Sequence, residues 1–579
     1  MLEKTDANPV TLHDLWSDRA IYTPGEDATI NLRLRNSAFT SLVIVLDVHL
    51  SWLDETIAEH HHRLEIAAGD HEVRLPLALP SDSFRGYGVD VSVRDHNARL
   101  LAQRSIGLDV LEHWTQAPRY GFLSDFSPGD QDAVTHVSAL ARYHVNVVQF
   151  YDWMWRHYAL MPPEDIFIDG CGRTLSLDAV RQKVAACKTQ GMAALGYAAV
   201  YGAEPEYALE HPAEMLYDAD GTPYSLGKLF YIMNIHQDNP WRTRILASMV
   251  EAVKEVPFNG LHLDQYGFPR ENVFGPAPDR VAYDLAKDFP PFIDDARAAI
   301  RAASPASRVI FNAVMNWPIE TVAPTSQDAT YIEIWPPYES YSDLQKLILE
   351  ARRLAPTKQV ILAAYLEPLK DAQGDALIKA EAAALFTSAA IWANGGFHLL
   401  MGEHNAALCD PYYPDYAPLR PDFADVMRRY YDFVVRYENV LSDLDLVTLP
   451  GTPEQRTVNI PGLQVSSCGE AGKIWTITRT KPGLTTVGLI NLSEATDTHW
   501  NAPKALALPR HNIEVEIQVA GTVQSIFAAS PDHEEGRPQP LAHTLLQRGE
   551  RTWVRVSIPH LHYWSTIVIK TLSETTGPV

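Results

Sequence analysis

Cysteine is scarce in this 579-residue chain: Cys171, Cys187, Cys409 and Cys468 are the only four, far apart, with no Cys-x-x-Cys pair. That spacing argues against a disulfide framework or a zinc site and leaves ordinary thiols of a reducing compartment as the expectation. Positive charge is also short. Against 72 Asp and Glu stand 48 Lys and Arg, a formal net charge of −24, so neither nucleic acid nor an anionic membrane surface finds the basic footprint it needs. No run of about 18 apolar residues offers a bilayer span, and Met1-Leu-Glu-Lys-Thr-Asp6 lacks an apolar signal core. A soluble protein is expected, cytoplasmic as written, or secreted if a signal peptide has been trimmed. Nucleotide signatures are missing too: no Gly-x-Gly-x-x-Gly follows the first predicted strand, and no Gly-x-x-x-x-Gly-Lys-Ser/Thr occurs.

What is present is ample core material, 46% hydrophobic and 10% aromatic residues, over a length that calls for two to four domains. Residues 1–112 alternate in strand fashion. Ile30, Leu32 and Leu34 interleave with polar neighbours, and the pattern returns at 42–50, 73–79 and 89–93, with turns at Pro24-Gly25 and Gly69-Asp70. An N-terminal immunoglobulin-like β-sandwich is predicted. His60-His61-His62 falls within it, but consecutive strand residues face opposite ways, so the three do not converge on a metal. Residues 113–440 change texture. Strands are predicted at 119–126, 145–153, 192–200, 260–267, 307–314, 329–336, 359–367 and 396–402, separated by helical patterns such as 180–188, 245–253 and 380–392. Eight βα units predict a (β/α)8 TIM barrel. Residues 441–579 return to strands at 473–480, 484–492, 513–519, 553–558 and 563–569, which predicts a C-terminal all-β domain, a second β-sandwich packed behind the barrel.

Two barrel strands end in acids. In Gly260-Leu-His-Leu-Asp-Gln-Tyr-Gly267, Leu261 and Leu263 alternate with His262 and Asp264; in Thr330-Tyr-Ile-Glu-Ile-Trp-Pro336, Ile332 and Ile334 alternate with Tyr331, Glu333 and Trp335. That parity turns the aliphatics out towards helices and the acids inward, at the strand ends where barrel chemistry sits. Asp152 ends the second strand in Gln149-Phe-Tyr-Asp-Trp-Met-Trp155, and Trp153, Trp155, Tyr197, Tyr201, Tyr266, Trp335, Tyr338 and Tyr341 surround these ends. Carboxylates among aromatic platforms suit carbohydrate chemistry: sugar C–H faces stack on rings while the acids work at the anomeric carbon. The bland alternative is that the acids cap turns and the aromatics fill the core. There is no His-Glu-x-x-His, and His398, Glu403 and His404 make only a weak metal constellation, better read as partners of sugar hydroxyls or of one another. Asp218-Ala-Asp-Gly221 and 371–375 read as turns rather than calcium loops. No metal or cofactor is expected.

The segments Gln149-Phe-Tyr-Asp-Trp153, Gly260-Leu-His-Leu-Asp-Gln265 and Tyr331-Ile-Glu-Ile-Trp335 resemble the motifs of glycoside hydrolase family 66, the endo-dextranases and cycloisomaltooligosaccharide glucanotransferases. The resemblance implies cleavage of α-1,6-glucosidic bonds in dextran or isomaltooligosaccharides with retention of configuration, Asp264 as nucleophile, Glu333 as general acid/base and Asp152 as an acid near the cleaved bond. Substrate-binding residues are then expected at Asp152, Trp153, Tyr197, His262, Tyr266, Trp335, Tyr338 and His404. Cyclising members carry a carbohydrate-binding module within the barrel, for which 200–231 is too short, so hydrolysis is favoured over cyclisation. Tyrosine-rich loops at 338–341 and 412–416 remain as acceptor sites. Two alternatives stay open, a cyclising transglycosylase and a catalytically silent carbohydrate-binding protein.

Overall fold

Eight short parallel strands make the centre of the computed structural model, which describes residues 8–129, 133–410, 416–451 and 455–572. They are β1 (Tyr120–Leu123), β2 (Val147–Phe150), β3 (Ala193–Ala199), β4 (Gly260–Asp264), β5 (Arg308–Val314), β6 (Thr330–Glu333), β7 (Val360–Ala363) and β8 (Phe397–Leu399). Each pairs in parallel with its successor, and β8 comes back against β1. The result is a TIM-like near-barrel. Parallel neighbours need a crossover, and helices supply it: α1 (Ala133–Ala141), α2 (Leu177–Thr189), α3 (Pro240–Glu255), α4 (Leu285–Ala303), α5 (Ile319–Val322), α6 (Tyr341–Leu354), α7 (Gly374–Ala393) and α8 (Pro421–Arg436). All eight predicted strands are present, each shorter than its apolar run, because the sequence stays apolar into the loops that form the cleft.

Helix starts are set locally. Ser176 caps α2 by accepting the Ala179 N–H, Asn239 caps α3 ahead of Pro240, and Ser340 with Asp343 forms a reciprocal capping box on α6. The α6 box matters for function, since it ends the loop that leaves β6 just past Glu333. α7 is long and apolar enough to pass for a membrane span by composition. Its packing explains that composition: Ala393 lies under Gly488 of the C-terminal sheet and Trp392 stacks near Trp564 with centroids 6.3 Å apart.

The strand parity holds. Leu261, Leu263, Ile332 and Ile334 join the core between strands and helices, whereas Tyr120, Ile310, Tyr331 and Ile361 fill the barrel interior. N-terminal to the barrel, Val10–Ser17, Asp27–Asn36 and Gly69–Ala78 make one antiparallel sheet and Leu42–Trp52, Glu55–Ile66, Arg85–Asp95 and Leu100–Val110 another, around a shared core. On Glu55–Ile66, His61 is exposed and meets Asp47 at 2.8 Å, while His60 and His62 fall on the opposite face. Beyond residue 440, one sheet is built on Ile474–Lys481, Leu484–Asn491, Trp564–Leu572 and Thr522–Ala529, and a second on Arg510–Val519, Arg551–Leu561 and His543–Arg548.

Buried ion pairs seat the N-terminal sheets on the barrel. Arg436 at the end of α8 donates to both oxygens of Asp90 at 2.8 and 3.0 Å, and Arg119 reaches Asp109 at 2.7 Å and Glu438 at 3.6 Å. Burying such charges is costly, so their contribution is to fix one docking geometry more than to add stability.

Candidate active site

The carboxyl ends of β2 to β7 open into a cavity of about 350 Å3. Asp264, at the end of β4, accepts the Tyr197 hydroxyl on Oδ2 at 2.7 Å and Asn312 Nδ2 on Oδ1 at 2.7 Å. The same Asn312 nitrogen donates to Glu333 Oε2, again at 2.7 Å. Those two carboxylate oxygens therefore lie no more than 5.4 Å apart, twice one bond length. Behind Asp264 the turn is locked by Gln265, whose Oε1 accepts the Gly267 N–H at 2.6 Å and whose amide donates to the Asn312 carbonyl at 3.2 Å. Gly267 has φ +77°, a left-handed conformation that a side chain would strain.

Both acids titrate above their usual range. Burial and the nearby Asp264 charge push Glu333 up to about 7; burial pushes Asp264 up to about 6, opposed by the Tyr197 and Asn312 hydrogen bonds. The inequality has a structural cause. Asp264 accepts from Tyr197, Asn312 and the Gln265 backbone, whereas Glu333 accepts from Asn312 and the Trp335 side chain and feels the Asp264 charge; Glu is also the intrinsically weaker acid, so the proton shared between them rests on Glu333. Below them His262 pairs with the Tyr120 hydroxyl at 2.9 Å, and burial lowers it to about 3, which keeps the ring neutral.

Asp152 lines the cavity on the Asp264 side, near enough for its charge to act on that acid, with φ +46°, a backbone region Asp tolerates better than most residues. Burial raises its pKa, against the pull of His157 and Arg173. Arg173 donates to the Asp152 carbonyl at 3.0 Å and is itself pinned by Asp169 at 2.6 Å. His157 meets Glu204 at 2.9 Å, both buried. Burial alone would lower the His157 pKa; the Glu204 hydrogen bond and charge more than reverse this and raise it.

Of the residues expected to bind substrate, Asp152, Tyr197, His262, Tyr266 and Trp335 line the cavity together with both acids. Three do not: Trp153 and His404 are corrections, and Tyr338 belongs to an adjoining chamber. Trp153 is 0% exposed: past the turn at Asp152, beyond the end of β2, it packs on Phe258 at 4.8 Å and donates Nε1–H to the Tyr197 carbonyl. Tyr338 lines a neighbouring cavity that meets this one at Trp335 and Tyr365. His404 is exposed on the loop after β8, its ring edge-on to His136 at 4.2 Å. Nor do His398 and Glu403 serve the site. His398 bonds Ser388 and the Ala364 carbonyl, each at 2.9 Å, and Glu403 pairs with Lys183 at 2.9 Å while accepting the Ser124 and Asp125 N–H groups. Tyr341 is buried against Trp475. Tyr412 and Tyr413 of the expected acceptor loop lie outside the described residues.

Asn312, His157, Glu204 and Tyr365 were not anticipated. Asn312 carried a signal: on β5 it shares parity with Ile310, which is inward, and it is the polar residue at the strand's carboxyl end. His157 and Glu204 sit in loops, where periodicity says nothing. Among the described residues no three His, Cys, Asp or Glu side chains are arranged to hold a metal ion.

A near-barrel whose strand ends bring two hydrogen-bonded carboxyls into an aromatic cavity is glycoside hydrolase architecture. The chain matches the model of glycosyl hydrolase family 66 over residues 17–568, and it belongs to that family. A cycloisomaltooligosaccharide glucanotransferase of Niallia circulans is 23% identical over 706 residues, covering 96% of this chain and 71% of the relative. A dextranase of Streptococcus salivarius is 24% identical over 613 residues, covering 91% and 73%. In fold, the crystal structure of a Paenibacillus sp. cycloisomaltooligosaccharide glucanotransferase complexed with cycloisomaltoheptaose superposes with a TM-score of 0.88 at 21% identity, covering 96% of this chain and 100% of that one.

Proposed function

We propose that the protein is a retaining glycoside hydrolase that cleaves α-1,6-glucosidic bonds in dextran or isomaltooligosaccharides by double displacement. One observation carries the reading: Asn312 bridges Asp264 and Glu333 with two 2.7 Å bonds. Retaining enzymes hold their carboxyls roughly 5–5.5 Å apart and inverting ones roughly 6.5–9.5 Å; one amide nitrogen bonded to an oxygen of each acid keeps those two oxygens within 5.4 Å of each other, which favours the closer arrangement. In the first step an Asp264 oxygen attacks the anomeric carbon, the glycosidic C–O bond breaks, and Glu333 gives its proton to the departing oxygen. The glycosyl ester that results has no charge on Asp264, which lowers the Glu333 pKa. Glu333, now ionised, takes a proton from water as the water oxygen attacks the same carbon, and the ester bond breaks to restore Asp264.

Tyr197 and Asn312 hold Asp264 for attack, and Asp152 with His157 faces the sugar from the Asp264 end of the cavity. Phe230 and Leu226, from the short hairpin between β3 and α3, close that end.

A second reading has its own support, since the Niallia and Paenibacillus relatives are named glucanotransferases. The same ester would then be intercepted by a sugar hydroxyl. The alignment with the Niallia relative runs 706 residues against the 579 of this chain, so that relative carries stretches absent here. This favours hydrolysis, with linear isomaltooligosaccharides or glucose as the main products. Mass spectrometry of early products from a linear isomaltooligosaccharide decides: a cyclic product is lighter than its linear counterpart by one water, and cyclic species dominating from the start would establish the transferase. An absence of any cleavage would leave the silent binding protein.

A further inference from the structure

The neighbouring cavity, about 350 Å3, shares Trp335 and Tyr365 with the acid cleft, so the two adjoin at those rings. It lies on the Glu333 side. Trp335 is two residues past Glu333, and Asp410, on its wall, is close enough for its charge to act on that acid. Asp152 and His157 line only the other chamber. The wall of the neighbouring cavity comes from two domains. Facing Trp335, Tyr338 and Tyr365 of the barrel are His499, Trp500 and Asn501 of the C-terminal domain.

That segment is fastened to the loops it faces. Trp500 donates its backbone N–H to the Glu339 carbonyl at 3.0 Å and its indole N–H to the Tyr338 carbonyl at 2.8 Å. Tyr341 N–H returns to the Thr498 carbonyl at 3.0 Å, and Asn501 Oδ1 accepts the Glu367 N–H at 3.0 Å. Trp500 is 3% exposed and forms the floor, whereas His499 is exposed at the rim. The chamber is therefore shaped in advance by main-chain contacts, which lowers the ordering cost of a ligand. Its lining pairs aromatic faces, Trp335 and Tyr365 with centroids 6.4 Å apart, with an amide, an imidazole and the carboxylates of Glu339 and Asp410. Rings for C–H faces and mixed donors and acceptors for hydroxyls suit a neutral sugar.

We infer that His499 and Asn501 of the C-terminal domain complete a subsite for a glucosyl unit on the leaving-group side of Glu333, filled first by the departing sugar and then by an acceptor. The inference rests on the double-displacement reading, which puts the leaving group where the proton donor is. It gives the C-terminal domain a part in choosing between water and sugar.

The test uses the full chain with α-isomaltotriosyl fluoride as donor and isomaltotriose as acceptor, reading fluoride release and the ratio of transfer to hydrolysis. The fluoride leaving group is too small to occupy the subsite, so its release reports formation of the ester. In the His499→Ala/Asn501→Ala double variant the ratio at sub-saturating acceptor should fall about tenfold. Asn501→Asp keeps an acceptor for the Glu367 N–H and replaces the amide donors by a carboxylate oxygen beside Glu339 and Asp410, so it should shift the ratio in the same direction while the loop contact stays. An unchanged ratio, including one in which transfer and hydrolysis fall together, overturns the subsite. Failure of the wild-type protein to release fluoride at all would instead remove the double-displacement reading on which it rests.

Discussion

Asn312→Ala isolates the group that ties the two acids together. Its single nitrogen donates to both carboxyls, and a hydrogen bond to a charged group contributes roughly 1.5–3 kcal/mol. Each pKa unit corresponds to about 1.36 kcal/mol, so losing the donor should move a carboxyl by about one to two units. Tyr197 still holds Asp264 Oδ2, which puts the expectation at the lower end, about one unit. The sign follows from what the donor stabilises. It favours the anion of either acid, so its loss raises both pKa values. The acidic limb of kcat/KM, set by ionisation of Asp264, moves up from about 6, and the basic limb, set by loss of the Glu333 proton, moves up from about 7. The whole bell shifts to alkaline pH, and its maximum drops about 10- to 100-fold if the same 1.5–3 kcal/mol also held the pair in line. Initial rates on a linear isomaltooligosaccharide across pH 4–9 provide the measurement, with a thermal melt to verify folding. An acidic limb that stays put or moves to lower pH would refute the role given to Asn312.

The two proposed catalytic roles separate by leaving group: Asp264→Asn should abolish turnover of every glucoside, whereas Glu333→Gln should spare activated substrates that need no proton to depart, and equal losses on both kinds in Glu333→Gln would contradict the acid assignment. Trp335→Ala should weaken oligosaccharide binding by about 1–3 kcal/mol, by analogy with base stacking on aromatics, seen as a raised KM. Trp153→Ala should instead destabilise the fold by about 3–5 kcal/mol, seen in denaturant melts, and a Trp153 variant of normal stability with a raised KM would reverse that distinction. Glu438, buried beside Asp109, has a pKa held well above the usual carboxylate range by burial and by that neighbour, against the pull of Arg119. A carboxyl raised on folding stabilises below its unfolded pKa, and that contribution is lost as pH rises through the folded value. Glu438→Gln, neutral throughout, should therefore gain in Tm over wild type between pH 5 and pH 8, measured at one scan rate, and a gap that fails to widen with pH would count against it.

The fold was legible where one period dominates. Eight apolar runs separated by helical patterns sufficed to place eight parallel strands, and the two flanking β regions showed themselves by alternation. Strand lengths were overestimated because apolarity outlasts pairing: Tyr151, Trp335 and Tyr365 continue the runs of β2, β6 and β7 but belong to cavity walls. Asp375, Lys379 and Glu381 interrupt the run of α7, which on average is still as apolar as a span, and its packing against the C-terminal sheet shows what covers it.

At the site, one rule accounts for the successes on the strands. Alternation along a strand assigns a side chain to the interior or to the helix layer, and it placed His262, Asp264 and Glu333 correctly with respect to the cavity; Asp152 reaches the cavity from the turn after β2 instead. On β5 the same rule would have selected Asn312, which keeps step with inward Ile310. It fails at Trp153: inward Gln149 and Tyr151 would make Trp153 inward as well, but β2 ends at Phe150 and the turn at Asp152 breaks the alternation, burying Trp153 against Phe258. Beyond the strand ends the rule stops. His404 and Tyr338 stand on loops whose course is set by distant partners, His136 on α1 for one and Trp500 of another domain for the other. Trp500 lies 162 residues from the Tyr338 carbonyl that its indole N–H meets, and no local pattern encodes that meeting. The chemistry of this barrel was therefore readable in the sequence to the extent that it sits on strands, and the Glu333-side chamber, built from loops and a second domain, needed the coordinates.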